Sequence, residues 1–419
     1  MKTNSLLTLS CAALGLAVLF ACNKSKGPSA PEKGKLVYVE TNDYHANQNA
    51  ILAYLQKPDG SLEELPGSPF ATGGAGLGNP QQILGPDDLD NPLIVSPDGR
   101  FLLAVNPGSN TIAVFNILGS GGLSPVPGSP FSSGGKTPVS LAISGRYVYV
   151  VNKAQDPLHP TTDNPSYVTL TCNNEGQLEP VPGGVFETSF GSSPAQVLVS
   201  NDQRFLFGTD FLAFQETTEA PVGSLRSFAL NGTGRLSPAP GTPQVIPAMG
   251  GALGLAQHPR QQVLYVGFPL NAQVGVYSID PNSGTLTFQT KVNAQPAACW
   301  IRTNQEGNRM YVLNSAENVV GVYNTANATA PALMNNFALK DPGPIGANGF
   351  TTSEDFSLGF SPSGKYLYVV SQHTSTDFSF GYNYLHTLVV AADGTLSEPT
   401  EPIHLPVAAD IRPQGVAVD

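Results

Sequence analysis

Charge is what this 419-residue chain has least of: Asp, Glu, Lys and Arg together make up 12% of it, and 31 acidic against 20 basic residues leave a net charge of -11. No run of Lys or Arg follows residue 35, so the phosphate-neutralising surface that DNA or RNA requires is missing, and nucleic acid is excluded as a partner. The chemistry-bearing motifs are missing too. There is no nucleophile elbow, no H-E-x-x-H and no phosphate-cradling glycine loop; "GGAGLG" at 73–78 runs into an irregular stretch and not a helix. No cofactor is implied. The acidic residues Asp87, Asp88 and Asp90 offer oxygen ligands but lack the spaced Asp/Asn and Gly of a calcium loop, so no metal is implied either.

What is present in quantity is glycine (44) and proline (37) in a chain that is 41% hydrophobic, a balance suited to many short strands and tight turns. The chain reads as all-β. Its one long apolar run, Leu6 to Ala21, follows Lys2 and ends at "LFAC", ahead of the polar "NKSKGPSAPEKGK". That is the anatomy of an export signal, and "LFAC" resembles a bacterial lipobox. The expectation is a lipoprotein signal peptide at 1–21, lipidation of Cys22, a flexible tether at 22–34 and a single domain at 35–419. The protein is then exported to the cell envelope and meets a membrane only through its lipid.

From residue 35 the chain repeats itself. Seven apolar strands recur: "KLVYVETN" (35–42), "FLLAVN" (101–106), "YVYVVN" (147–152), "RFLFGTD" (204–210), "VLYVGF" (263–268), "RMYVLN" (309–314) and "YLYVVS" (366–371). Turns such as "SPDGR" (96–100) and "SPSGK" (361–365) precede several of them, and alternating strands such as "NTIAVFNI" (110–117) follow. The unit then closes on "LSPVPGSPF" (123–131), rewritten as "LEELPGSPF" ending at Phe70, "LEPVPGGVF" ending at Phe186 and "LSPAPGTPQ" ending at Gln244. Proline removes amide donors, so this segment suits the outermost strand of a sheet.

A four-stranded antiparallel unit repeated seven times at this spacing predicts a seven-bladed β-propeller. The chain starts on a second strand and ends on "PQGVAVD" (413–419), which reads as an inner strand, so the C-terminus should complete the first blade. Cys172 and Cys299 then fall three blades apart, too far to bridge, and two separate buried thiols are expected.

In such a ring the D-to-A and B-to-C connections share the face around the channel mouth, the usual place for function. His45, His159 and His373 fall in these connections and read as solvated loop histidines, with no adjacent carboxylate. Glu354 and Asp355 stand just before an inner strand, where paired carboxyls can do acid–base work. Gln196, Arg302 and Arg412 complete the ligand-binding candidates.

The "YVYVVN" strands and the "SPDGRFLLAVN" corner (96–106) resemble the lactonase-type seven-bladed propellers, the group holding bacterial 6-phosphogluconolactonase-like proteins and YVTN-repeat surface propellers. The resemblance covers 35–419. It implies opening or closing of sugar or muconate lactones by His, Arg and Glu side chains over the channel mouth. Such proteins tend to carry Pro-His at one inner strand; the comparable segment at 192–210 has Ala195 and Gln196. They tend to carry Ala-Glu at another inner strand, with Asn-Arg after its partner; the segment at 295–318 has Ala298 and Cys299, then Asn314 and Ser315. With all three groups absent from those places, the expectation is a non-catalytic monomeric propeller. Its loop-rich face would bind a small molecule or an envelope protein. A lactone hydrolase using relocated residues is the alternative.

Overall fold

The computed structural model describes Met1 and residues 35–78, 89–213, 223–245, 249–346 and 349–419. The expected signal, tether and Cys22, with Asp87 and Asp88, lie outside the described residues.

Seven antiparallel sheets of four or five strands are arranged in sequence order. The inner strands are Val416–Val418, Leu93–Val95, Pro138–Ser144, Ser192–Val199, Leu255–Gln257, Ala298–Thr303 and Ser353–Phe360, for blades 1 to 7. The second strands are Leu36–Glu40, Phe101–Asn106, Tyr147–Asn152, Phe205–Ala213, Val263–Phe268, Arg309–Asn314 and Tyr366–His373. Each second strand is covered on both faces by neighbouring blades, so all six residues of Tyr147–Asn152 are buried. That is why these strands read as unbroken apolar runs and not as alternating ones.

Tyrosines lock blade to blade. Tyr38, Tyr147, Tyr265 and Tyr311 bury their rings and donate their hydroxyls to the carbonyls of Gly121, Gly232, Ala328 and Gly394 in the next blade, at 2.8–2.9 Å. Each thus places a large apolar ring between sheets while its polar tip stays hydrogen-bonded.

The repeated nine residues are the outer edge of blades 1 to 4, as their prolines predict. In blade 2 the third strand, Thr111–Ile117, pairs with Leu123–Pro125 and then with Phe131–Ser132, and the chain leaves the ladder between them. Gly128 makes that departure at φ 93°, a conformation open to glycine. The Ser129 hydroxyl then accepts the Val114 amide at 2.8 Å; Ser68 does the same for Ala53 and Thr242 for Ser227. The hydroxyl in these three copies thus fills the gap that the departure leaves in the ladder, whereas the blade 3 copy has Gly184 at that place and runs as one strand, Leu178–Glu187.

Closure follows the sequence expectation. Val37, Tyr38 and Val39 pair with Val418, Ala417 and Val416, so the C-terminal strand is the inner strand of blade 1. Cys172 in blade 3 and Cys299 in blade 6 are unbridged, as expected, but Cys172 is only half-buried because it sits at the end of its strand beside a surface turn. Among the described residues no helix is long and apolar enough to cross a membrane.

Candidate functional site

The mouth of the channel is built from the first residues of the inner strands and the last residues of the second strands. Blade 7 contributes most. Glu354 and Asp355 do not precede the inner strand but are its second and third residues, paired with Gln372 and Ser371 of the partner strand. The two carboxyls alternate to opposite faces, as neighbours in a strand must. A bulge follows them, between Asp355 and Ser357. On the blade 1 side Gln372 accepts a hydrogen bond from Gln414 at 2.8 Å. On the blade 6 side Ser315 donates to the Asp355 carbonyl at 2.6 Å.

Both carboxyls are fully buried, and the protein gives neither a close hydrogen bond. Burial pushes Glu354 up to about 8, the Thr374 hydroxyl and the charge of Arg412 offsetting only part of it. Asp355 is pushed well above the carboxylate range, first by burial and then by the neighbouring Glu354 charge. Burial disfavours the ionised form of an acid, and a second acid alongside adds to that.

His373 closes the partner strand and is buried, contrary to its reading as a solvated loop histidine, because that strand continues two residues beyond the apolar run. Its ring packs beside Phe378 and Tyr382, with centroids 5.8 Å away in both cases. Its backbone amide donates to Asn383, whose own amide nitrogen donates to the Ile411 carbonyl, tying it to the segment that carries Arg412. The Tyr382 amide faces Nδ1 at 3.5 Å, and Nε2 has no protein partner. These surroundings assign the proton to Nε2. Burial, with the Arg412 charge adding to it, holds the imidazole below its ordinary value, so it is neutral at pH 7. Arg412, just ahead of the closing strand, is itself buried. At the junction of blades 7 and 1 the Arg412 charge thus reaches both the buried Glu354 carboxyl and the neutral His373 imidazole.

The other sequence candidates are elsewhere. His45 and His159 are exposed, as expected, yet each has a carboxylate the sequence reading overlooked, Asp43 and Asp156, at 2.8 Å. His159 lines a surface pocket of about 240 Å³ with Lys136 and Asp156, on the rim. Gln196 is not available to a ligand: its side chain accepts the Leu255 amide at 2.8 Å and donates to the Leu255 carbonyl at 3.3 Å, joining the inner strands of blades 4 and 5. Arg302 reaches from blade 6 across the axis to Asn91, at the start of blade 2, at 3.3 Å, and burial lowers it to about 10. Asp90, read only as part of an acidic run, is a buried carboxyl pushed up to about 7 by burial, with the Lys153 charge opposing. Among the described residues no three His, Cys, Asp or Glu side chains are grouped to hold a metal ion. A cleft of about 600 Å³ opens on the opposite face beside Arg100, Arg146 and Gln203. It carries no histidine, and its one acid, Asp98, is spent on Arg100 at 2.9 Å.

The signal for the missed site was in the sequence. "TTSEDFSLGFSPSGKYLYVVSQH" (351–373) has a glutamate second in an inner strand and a polar pair closing the partner strand.

The fold and this corner define a seven-bladed β-propeller with a buried acid–base set at its mouth. The family described as "Lactonase, 7-bladed beta-propeller" matches residues 91–186. A 6-phosphogluconolactonase of Yersinia enterocolitica is 25% identical over 250 residues, covering 56% of this chain and 66% of its own length, just under two thirds. In three dimensions the periplasmic gluconolactonase of Pseudomonas aeruginosa superposes with a TM-score of 0.63 at 18% identity, covering 91% of this chain and 99% of its own. A Bacteroides uniformis protein proposed to be a 6-phosphogluconolactonase superposes with a TM-score of 0.63 at 16% identity, covering 90% and 98%. The chain is similar to the lactonase-type propellers, and the resemblance read from its repeats holds. The expectation of a non-catalytic binding propeller is overturned by the likeness to an enzyme in sequence. It had rested on the absence of the expected imidazole, carboxylate and guanidinium from 192–210 and 295–318.

Proposed function

We propose that this protein is an exported hydrolase of sugar lactones. The observation that carries the reading is that the Arg412 charge reaches both the buried Glu354 carboxyl and the neutral His373 imidazole at the mouth; the likeness to a 6-phosphogluconolactonase supplies the substrate class. Lactone opening needs a base for water and donors for the oxyanion. Glu354 as a carboxylate takes a proton from water, and the water oxygen bonds to the lactone carbonyl carbon. The carbonyl oxygen becomes an oxyanion held by the Arg412 guanidinium and the Nε2–H of His373. Collapse breaks the ring C–O bond, and the proton on Glu354 passes to the leaving alkoxide, giving the hydroxy acid.

Because Glu354 is held up at about 8, its basic form is the minor one at pH 7. For residues 23–419 assayed against a panel of sugar lactones, kcat/KM should therefore climb with pH and level off above about 8. A flat profile would remove Glu354 as the base, and no turnover of any lactone would remove the reading. The apolar run ahead of Cys22 and the likeness to a periplasmic gluconolactonase support export. Lipid on Cys22 would then hold a monomer at a membrane with its mouth free for small lactones. Cys22→Ala should move the protein from the membrane fraction to the soluble one.

A further inference from the structure

The cleft of about 600 Å³ on the face opposite the mouth is bounded by three consecutive blades. Blade 2 gives the turn after its inner strand, blade 3 the turns at Arg146 and Cys172, and blade 4 the turn at Gln203. The buried Phe101 and Leu103 and the half-buried Ile143 and Val199 line it with apolar surface. A concavity of this size, apolar with a few directed polar groups, is what a small-molecule site requires.

Its polar groups are unequal: the acceptors are engaged within the protein and the donors are not. The Asp98 carboxylate accepts Nε–H of Arg100 at 2.9 Å and the Ser96 hydroxyl at 2.6 Å. The Asn174 carbonyl accepts a second Arg100 nitrogen at 2.9 Å, and the Asn173 side-chain oxygen accepts the Glu175 and Gln177 amides at 3.0 and 2.8 Å. Gln203 accepts the Ser144 hydroxyl on Oε1 at 3.0 Å, which leaves its side-chain N–H groups for the cleft. Arg146 lies over the Tyr147 ring at 5.2 Å and gives one N–H to the Tyr147 oxygen at 3.1 Å; that phenol spends its own proton on the Gly232 carbonyl at 2.8 Å. Among the described residues no carboxylate pairs with Arg146. A guanidinium is a rigid fork of several N–H donors, so most of them remain for a ligand. Arg100 and Asp98 cancel, and Arg146 leaves the cleft one uncompensated positive charge. A monoanion neutralises that charge, whereas a phosphate dianion would leave negative charge beside Asp98.

We propose that this cleft is a second ligand site, for a small monocarboxylate with an apolar body. The carboxylate sits on the Arg146 fork, whose parallel N–H groups match its two oxygens, with the Gln203 amide as a further donor. The body lies on the apolar lining. The site is separate from the mouth and stands whether or not the protein hydrolyses lactones. Cys172, a free and half-buried thiol, lines the same cleft, so a bound ligand covers it.

That thiol is the reporter. Alkylation of Cys172 by iodoacetamide is followed by peptide mass spectrometry in the purified protein, with benzoate, cinnamate or indole-3-acetate present. Cinnamamide, gluconate and inorganic phosphate serve as comparisons. The ring carboxylates should slow alkylation saturably. Cinnamamide keeps the shape without the charge and should protect weakly, as should gluconate, which lacks an apolar body, and phosphate. Arg146 is exposed, so Arg146→Gln removes the fork without opening the core; it should raise the concentration of cinnamate needed for protection by about tenfold or more. Glu354→Gln, at the mouth, should leave protection unchanged. The proposal is overturned if no ring carboxylate protects Cys172, or if cinnamamide, gluconate or phosphate protects as well as cinnamate. Unchanged protection in Arg146→Gln overturns it too, and protection lost in Glu354→Gln would move the ligand to the mouth. If Arg146→Gln does not fold, the comparison of cinnamate with cinnamamide in the unmodified protein decides.

Discussion

Glu354 is where function and stability oppose each other at the scale of one residue. Its folded pKa of about 8 lies above the ordinary 4.5, so the folded protein binds the extra proton between those values. The unfolded chain releases it there, and stability therefore falls as pH rises through that window, the reverse of a salt-bridged acid. Glu354→Gln removes the penalty. It should raise the melting temperature at pH 8–9 relative to the unmodified protein, corresponding to roughly 1–3 kcal/mol, and leave it nearly unchanged near pH 4. Lactone turnover should fall by about 10²–10⁴-fold. A variant that is no more stable at high pH would mean that the carboxyl is solvated.

At the scale of the element, the outer strand explains why one nine-residue phrase is repeated. Proline gives up donors, glycine takes the chain out of the ladder, and the following hydroxyl fills the vacant acceptor position. Ser129→Ala should strand the buried Val114 amide and cost about 1 kcal/mol, a drop of about 1–2 °C in melting temperature. Ser129→Thr, matching the natural Thr242 arrangement, should cost less than the alanine change. Equal losses for the two would show that the hydroxyl does not act as the ladder acceptor.

At the scale of the whole molecule, closure and site coincide. The last strand pairs with Leu36–Glu40 and carries, just ahead of it, the buried Arg412. Deleting 412–419 therefore opens the ring between blades 7 and 1 and strips the oxyanion donor in one step. It should lower the melting temperature by more than 10 °C, on the order of several kcal/mol of lost burial. Arg412→Gln, which leaves the strand in place, should cost activity and little stability. A truncated protein that melts normally would mean that the clasp is not what closes the ring.

The sequence by itself determined the class, the blade count, the edge strands and the closing strand, because each is written in local periodicity and turn chemistry within one repeat. It also named Glu354, Asp355, His373 and Arg412, one by one. What it did not provide was their grouping, and it added Gln196, whose amide turned out to be taken by the Leu255 backbone. Arg412 comes near residues 354 and 373 only because the ring closes and sets blade 1 beside blade 7. Burial completes the difference: an acid's titration depends on what surrounds it in space, and no local pattern encodes that. The tertiary structure alone decided which of the candidate side chains share a dry corner, and with it which of them can do chemistry.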